Sequence, residues 1–224
     1  MCQIMHFWGH PNQGVGNNYY YHLDYGLIEA DFSTATYDFS TMPANYANSD
    51  SQLLLFHAGV AVNMDYNYSG SGAYVIGDYP SAGHAMKTFF GFSESLNYIH
   101  KNNYDTNNEF RDLLKEQLES GKPILYRGDT GETGHAWNID GYNGNMLHCN
   151  WGWGGSSNGY FNLNSMGGFP NSNAAVVDIF PDFGLPIALF EYEVSGMDVV
   201  FIDLSEFASP TQISKWHWNF GDGN

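Results

Sequence analysis

Positive charge is scarce in this chain: 7 Lys and Arg face 24 Asp and Glu across 224 residues, a formal net charge of −17. A surface of that sign repels phosphate backbones and anionic headgroups, so nucleic acid and acidic membranes are excluded as expected partners. Cysteine is scarcer. Two residues, Cys2 and Cys149, are too few to imply a disulfide framework. Cys149, in the run Met146-Leu147-His148-Cys149, reads as a small buried hydrophobe in a strand. Long apolar runs are missing as well. None approaches the ~20 residues of a membrane-spanning helix, so no membrane insertion is expected, and the opening residues lack the basic-then-apolar pattern of a signal peptide. Rings and glycine are plentiful instead: 16 Tyr, 16 Phe, 6 Trp and 26 Gly. With 43% hydrophobic residues the chain has ample material for a packed core, and its glycines point to many turns pinned by rings.

The length suits one sizeable domain plus a fragment, or two small domains. Met1, Cys2, Ile4, Met5, Phe7 and Trp8 make a short apolar helix ended by Gly9, with Pro11 beyond. No cap precedes it, so the expectation is a helix whose front is missing. A Gly/Asn/Tyr-rich stretch (12–22) and short strand-like segments lead to Met42-Pro43. Helices are expected over 49–63, with Ser49 or Asp50 as cap and Leu53, Leu54, Phe56, Ala58, Val60 and Ala61 inward, then over 82–90 and 107–119. The last would bury Phe110, Leu113, Leu114 and Leu118 and turn Glu109, Asp112 and Glu116 to water. From Pro123 the pattern becomes short strands between Gly/Asn turns, at 124–126, 136–142, 145–151, 159–163 and 174–179. Helices first and antiparallel strands afterwards describe an α+β domain over 1–181. A short linker, 182–186, contains Asp182-Phe183-Gly184, which reads as a turn. Alternating strands at 188–194 and 198–204, a Trp-rich run and an Asp-Gly hairpin signal then read as an immunoglobulin-like sandwich over 187–224 that stops after about three strands.

The chemistry sits in two runs. Gly134-His135-Ala136-Trp137-Asn138-Ile139-Asp140-Gly141 is followed, fifteen residues after His135, by Asn150-Trp151-Gly152-Trp153-Gly154-Gly155. Alone, a histidine in a strand is most simply a core residue. Beside an amide and an indole on the next strand it can be a general base, because the imidazole needs an acceptor to fix its tautomer and an aromatic lid against water. Of Asn150 and Trp151, one would orient the ring and the other shield it; the pattern does not divide the two roles. Trp153 to Gly155 reads as rigid scaffold, since no helix or Lys follows to make a phosphate cradle.

These runs, with Gly159-Tyr160-Phe161, Met42-Pro43, Met64-Asp65-Tyr66 and Gly70-Ser71-Gly72-Ala73, resemble the streptopain family of cysteine peptidases over nearly all of the first domain. The resemblance implies a papain-like fold and a cysteine endopeptidase that forms a thioester intermediate, with an apolar preference just before the scissile residue. His135 would be its base, Asn150 and Trp151 its supports, and Ser71 and Gly134 cleft positions that pair with the backbone of an extended peptide. It implies a protein or peptide substrate, an upstream inhibitory propeptide, secretion to the bacterial exterior and no cofactor. The tail is similar to the start of a polycystic-kidney-disease-type (PKD) domain, with Trp218-Asn219-Phe220-Gly221-Asp222-Gly223 as the matching run.

One departure stands out. The family's opening helix carries its nucleophile in a Cys-Val-Ala-Thr-Ala-x-Ala-Gln-Ile-Met pattern, of which Cys2-Gln3-Ile4-Met5 matches the last part, with Cys2 where the family has Ala. The nucleophile would then fall about five residues before Met1, and the chain as given is expected to be inactive. Cys2 itself lies about six residues further along the helix, roughly 9 Å at ~1.5 Å per residue, too far to replace it. The competing reading is a non-catalytic peptidase-like module that binds peptide or glycan. His6 and His10 are spaced i, i+4, but the helix ends at Gly9 and no carboxylate joins them, so no metal is expected there.

Overall fold

The computed structural model describes residues 1–43, 46–182, 190–195 and 198–204. Apart from the first, its α-helices begin where a short polar side chain takes a free backbone N–H group. Helix α1 (Cys2–Trp8) ends at Gly9 in the left-handed conformation, φ 58°. Helix α2 (Ser49–Ala61) starts from Asn48, whose side chain accepts from the Ser51 amide while the Ser51 hydroxyl serves the Asn48 amide. The cap is thus neither Ser49 nor Asp50. The buried line of α2 runs through Leu54, His57, Ala58 and Ala61, the i, i+3, i+4, i+7 positions of one face. Phe56 falls off that line and is exposed, and His57 takes the inward place expected for it. Helix α3 (Ala82–Phe90) is capped by Ser81 and closed by left-handed Gly91. Helix α4 (Asn107–Glu119) carries a Thr106/Glu109 capping box.

Strands β1 (Asn17–His22) and β2 (Gly26–Asp31) form a hairpin; β1 lies in the Gly/Asn/Tyr-rich stretch, where no strand was expected, and β2 among the expected strand-like segments. The main sheet has six antiparallel strands: β3 (Asn97–His100), β4 (Ile124–Asp129), β5 (Gly134–Asn143), β6 (Met146–Asn150), β7 (Gly159–Asn162) and β8 (Asn171–Val177). Their order is β3-β8-β4-β5-β6-β7. Successive residues of a strand face opposite ways, and the core follows that alternation. Leu125 and Val176 join the α1–α3 side with Ile4, Met5, Leu54, Met86 and Phe90. Ile124, Tyr126, Ile139, Leu147 and Cys149 pack with Phe110 and Leu114 of α4 on the other side. Burying Phe110 and Leu114 completely stabilises the fold by roughly 1.5–3 kcal/mol each.

The chain falls into two compact units, Met1–Pro181 and Asp182–Asn224. In the second, β9 (Phe190–Ser195) and β10 (Asp198–Asp203) form an antiparallel hairpin. The Asp182-Phe183-Gly184 turn lies, apart from Asp182, outside the described residues, and so does the whole Trp218–Gly223 run.

Candidate active site

His135 is the second residue of β5 and pairs across to Gly128 of β4. Its Nε2 lies 2.9 Å from the backbone carbonyl of Trp151. A carbonyl oxygen only accepts, so Nε2 carries the proton and Nδ1 keeps a lone pair. Rings enclose the imidazole. Trp153 stacks on it with centroids 4.8 Å apart and planes at 25°, Phe169 lies at 5.4 Å, and Trp137 and Trp151 at 6.0 and 6.1 Å. The Trp151 ring is buried, and it presses on Gly167, where an added Cβ would stand 2.4 Å from its Cζ2. Gly152, Gly154 and Gly155 all have positive φ, which lets the chain reverse between Trp151 and β7 and bring Trp153 back over the histidine.

The Trp151 carbonyl faces the imidazole, and its indole lies within the surrounding stack. Asn150 faces elsewhere. Its Oδ1 accepts from the Gly152 amide at 3.2 Å and from Gln3 Nε2 at 3.4 Å, and no hydrogen bond joins it to His135 among the described residues. Gln3 in turn accepts from Asn138 Nδ2 at 2.5 Å, so α1 is tied to β5 and β6 where Asn138 and Asn150 pair. Trp153 and Phe169 are the neighbours that sequence reasoning passed over as scaffold or not at all. The alternation Trp151-Gly152-Trp153 carried a signal for the first, whereas Phe169, far along the chain, carried none.

A cleft of about 760 Å³ opens beside the histidine. Gly134, His135, Ala136 and Arg127 line its sheet side, Leu55, Ala58, Val62, Met64, Val75 and Ile76 form an apolar wall, and Met1 and Cys2 stand at it too. Ser71 lines it with Gly72 and Ala73, on a loop closed by the two backbone hydrogen bonds between Asp65 and Gly72. The Ser71 hydroxyl accepts from the Asn67 amide. The structure therefore brings Ser71, Gly134 and His135 to one cleft, with Asn150 at its edge and the Trp151 ring beneath. Burial pushes Cys149 up to about 12, and it raises the Cys2 thiol as well. His6 and His10 point to different backbone carbonyls, those of Met42 and Gly91. Among the described residues no three His, Cys, Asp or Glu side chains cluster as metal ligands, and no helix is long and apolar enough to cross a membrane.

An antiparallel sheet backed by helices, with a tautomer-fixed histidine in an aromatic stack at the edge of a cleft, is an arrangement of the thiol-peptidase class. Within that class the chain belongs to the peptidase C10 family, whose family model matches residues 1–161. It is 30% identical to streptopain of Streptococcus pyogenes, in an alignment covering 80% of this chain and 50% of that protein. It is also 30% identical to the thiol protease/hemagglutinin PrtT of Porphyromonas gingivalis, covering 81% of this chain and 23% of that one. The fold matches a fragment of Prevotella intermedia prointerpain A with a TM-score of 0.67 and 31% identity, over 82% of this chain and 61% of the other. The chain spans about half the length of the streptopain sequences it matches.

Proposed function

We propose that this chain is the His-bearing part of a cysteine endopeptidase. The observation that carries the reading is the His135 Nε2 to Trp151 carbonyl contact, which leaves Nδ1 as the basic nitrogen beside a peptide-sized cleft in a member of a cysteine-peptidase family. In this reading His135 takes the proton of a thiol, the thiolate attacks the peptide carbonyl carbon, and the resulting imidazolium returns the proton to the leaving amine as the C–N bond breaks. Water then attacks the thioester with His135 again as base, releasing the acid and the thiol. Trp151 orients the imidazole, Trp153 and Phe169 limit its access to water, and Asn150 braces the turn that presents the Trp151 carbonyl. Ser71 and Gly134 take the backbone of an extended substrate, and the apolar wall receives the side chain just before the scissile residue. The resemblance puts the nucleophilic cysteine ahead of Met1, in keeping with the two thiols described here, both raised by burial rather than lowered. Secretion, an inhibitory propeptide and a PKD-type identity for 187–224 belong to the same reading and rest on family resemblance.

The test extends the chain upstream through the Cys-Val-Ala-Thr segment and measures casein cleavage. The extended protein should cleave in an iodoacetamide-sensitive way, His135→Ala should remove several orders of magnitude of rate, and residues 1–224 alone should not cleave. Iodoacetamide-sensitive cleavage by residues 1–224 that is lost on Cys2→Ser would make Cys2 the nucleophile. An extended protein that folds but never cleaves would favour the non-catalytic binding module.

A further inference from the structure

The cleft differs in charge from the rest of the chain. Asp and Glu outnumber Lys and Arg by 24 to 7 overall, yet among the described residues no carboxylate lines the cleft and one guanidinium, that of Arg127, does. Arg127 sits on β4 directly across from Ala136 of β5, the residue after His135, and across from Ala174 of β8 on its other side. Two alanines as flanking partners leave the long side chain uncovered toward the cleft, where Ala136 is exposed. Arg127 is held but not used up. One N–H, from Nη2, donates to Asp129 Oδ2 at 3.3 Å, and its other N–H groups have no acceptor among the described residues. Its side chain keeps 32% of its surface open to solvent. Asp65, on the loop that carries Ser71, has its Oδ1 3.4 Å from His22 Nε2.

We propose that Arg127 makes the cleft selective for a substrate carrying a carboxylate side chain close to the scissile bond, a reading that rests on the peptide-cleft function above. Neighbouring strands stand about 4.8 Å apart and an extended peptide rises about 3.3 Å per residue. A guanidinium one strand over from Ala136 therefore reaches side chains within about two residues of the bond that His135 faces. Guanidinium meets carboxylate with paired, charge-assisted hydrogen bonds, which a Gln or Leu side chain does not reproduce. The protein's overall field opposes an anionic peptide at long range, so a preference for Glu at one position would mark a local contact.

The experiment uses the 224-residue chain and binding rather than cleavage, so it does not depend on the nucleophile. Fluorescently labelled extended hexapeptides carrying Glu, Gln, Lys or Leu at each position in turn are titrated by anisotropy at about 0.15 M salt, where long-range repulsion is largely screened. At one position Glu should bind about tenfold more tightly than Gln. Arg127→Gln should erase that difference, and Asp129→Asn, which frees the guanidinium from its neighbour, should enlarge it. Thermal melts establish that each variant folds, and the Asp129→Asn arm alone decides the matter if Arg127→Gln does not. Peptide binding with Glu and Gln equal, a Glu preference that survives Arg127→Gln, or one that Asp129→Asn leaves unchanged overturns the inference while leaving the peptide cleft standing. If no peptide binds at all, the peptide-cleft reading fails and this inference fails with it.

Discussion

At the scale of single residues, the site turns on what accepts the His135 proton. A side-chain amide in that role would be open to mutation, but a backbone carbonyl cannot be removed by changing a side chain. Asn150→Ala should therefore leave the Nε2-protonated tautomer of His135 intact, as read from the ring-nitrogen shifts in a nitrogen-15 NMR spectrum. A switch to the Nδ1-protonated form, or signals averaged between the two, would mean that Asn150 orients the ring after all. Much of the site was legible as a motif: His135, Asn150 and Trp151 stand out because their spacing puts His135 on β5, Asn150 at the end of the adjacent β6 and Trp151 just past it. Which group faces the imidazole was not legible, because a sequence shows side chains, and the acceptor at His135 Nε2 is a main-chain oxygen. Arg127 was equally silent. In the sequence it is one more residue of a strand, and only the pairing with Ala136 turns it toward the cleft.

At the scale of elements, helices were easier to read than the first strands. The α4 face of Phe110 and Leu114 repeats at helical spacing, and Gly9 and Gly91 punctuate two helix ends. The sheet strands β4 to β8 announce themselves by apolar runs between Gly/Asn turns. Strand β1 hides because Tyr19 and Tyr21 are exposed, so its rings face outward and blur the inside-outside alternation. Strand β3 is four residues long and polar at both ends, too short for any periodicity. In α2 the inward place went to His57 because helical geometry, not hydrophobicity, decides which residue meets the core. Packing between elements also carries a testable consequence where the turn holding Gly167 meets the Trp151 ring. Gly167→Ala would place a Cβ 2.4 Å from Cζ2 and 2.6 Å from Cη2 at a φ of +63°. Left-handed backbone and overpacking together should cost about 2–4 kcal/mol in urea unfolding. The Trp151 carbonyl should shift with its ring and loosen the His135 contact. Full stability in that variant would mean that the ring has room to move and that the stack does not fix it.

At the scale of the whole Met1–Pro181 unit, the helical half and the sheet half both line one cleft, so the stability of this unit and the geometry of its site are coupled. Within the helical half a polar pair is buried: the Tyr37 hydroxyl lies 2.7 Å from His57 Nδ1, and the rings of Phe32 and Phe56 also lie against His57. Burial holds His57 below the ordinary histidine range, only partly offset by Asp31. A proton that the unfolded chain binds more readily than the folded one makes stability depend on pH. Above about pH 6.5 His57 is neutral in both states and contributes no penalty. As pH falls below that value the unfolded chain takes up the proton while the folded chain does not, so stability is lost until the folded-state value is reached. Urea unfolding at pH 7 and pH 5, both at about 0.15 M salt to screen the repulsion of a strongly acidic chain, should show wild type losing stability at the lower pH. His57→Gln, which can still pair with Tyr37 but does not titrate, should lose less. Equal losses in the two proteins would assign the acid sensitivity to other groups and leave the Tyr37–His57 pair as packing alone.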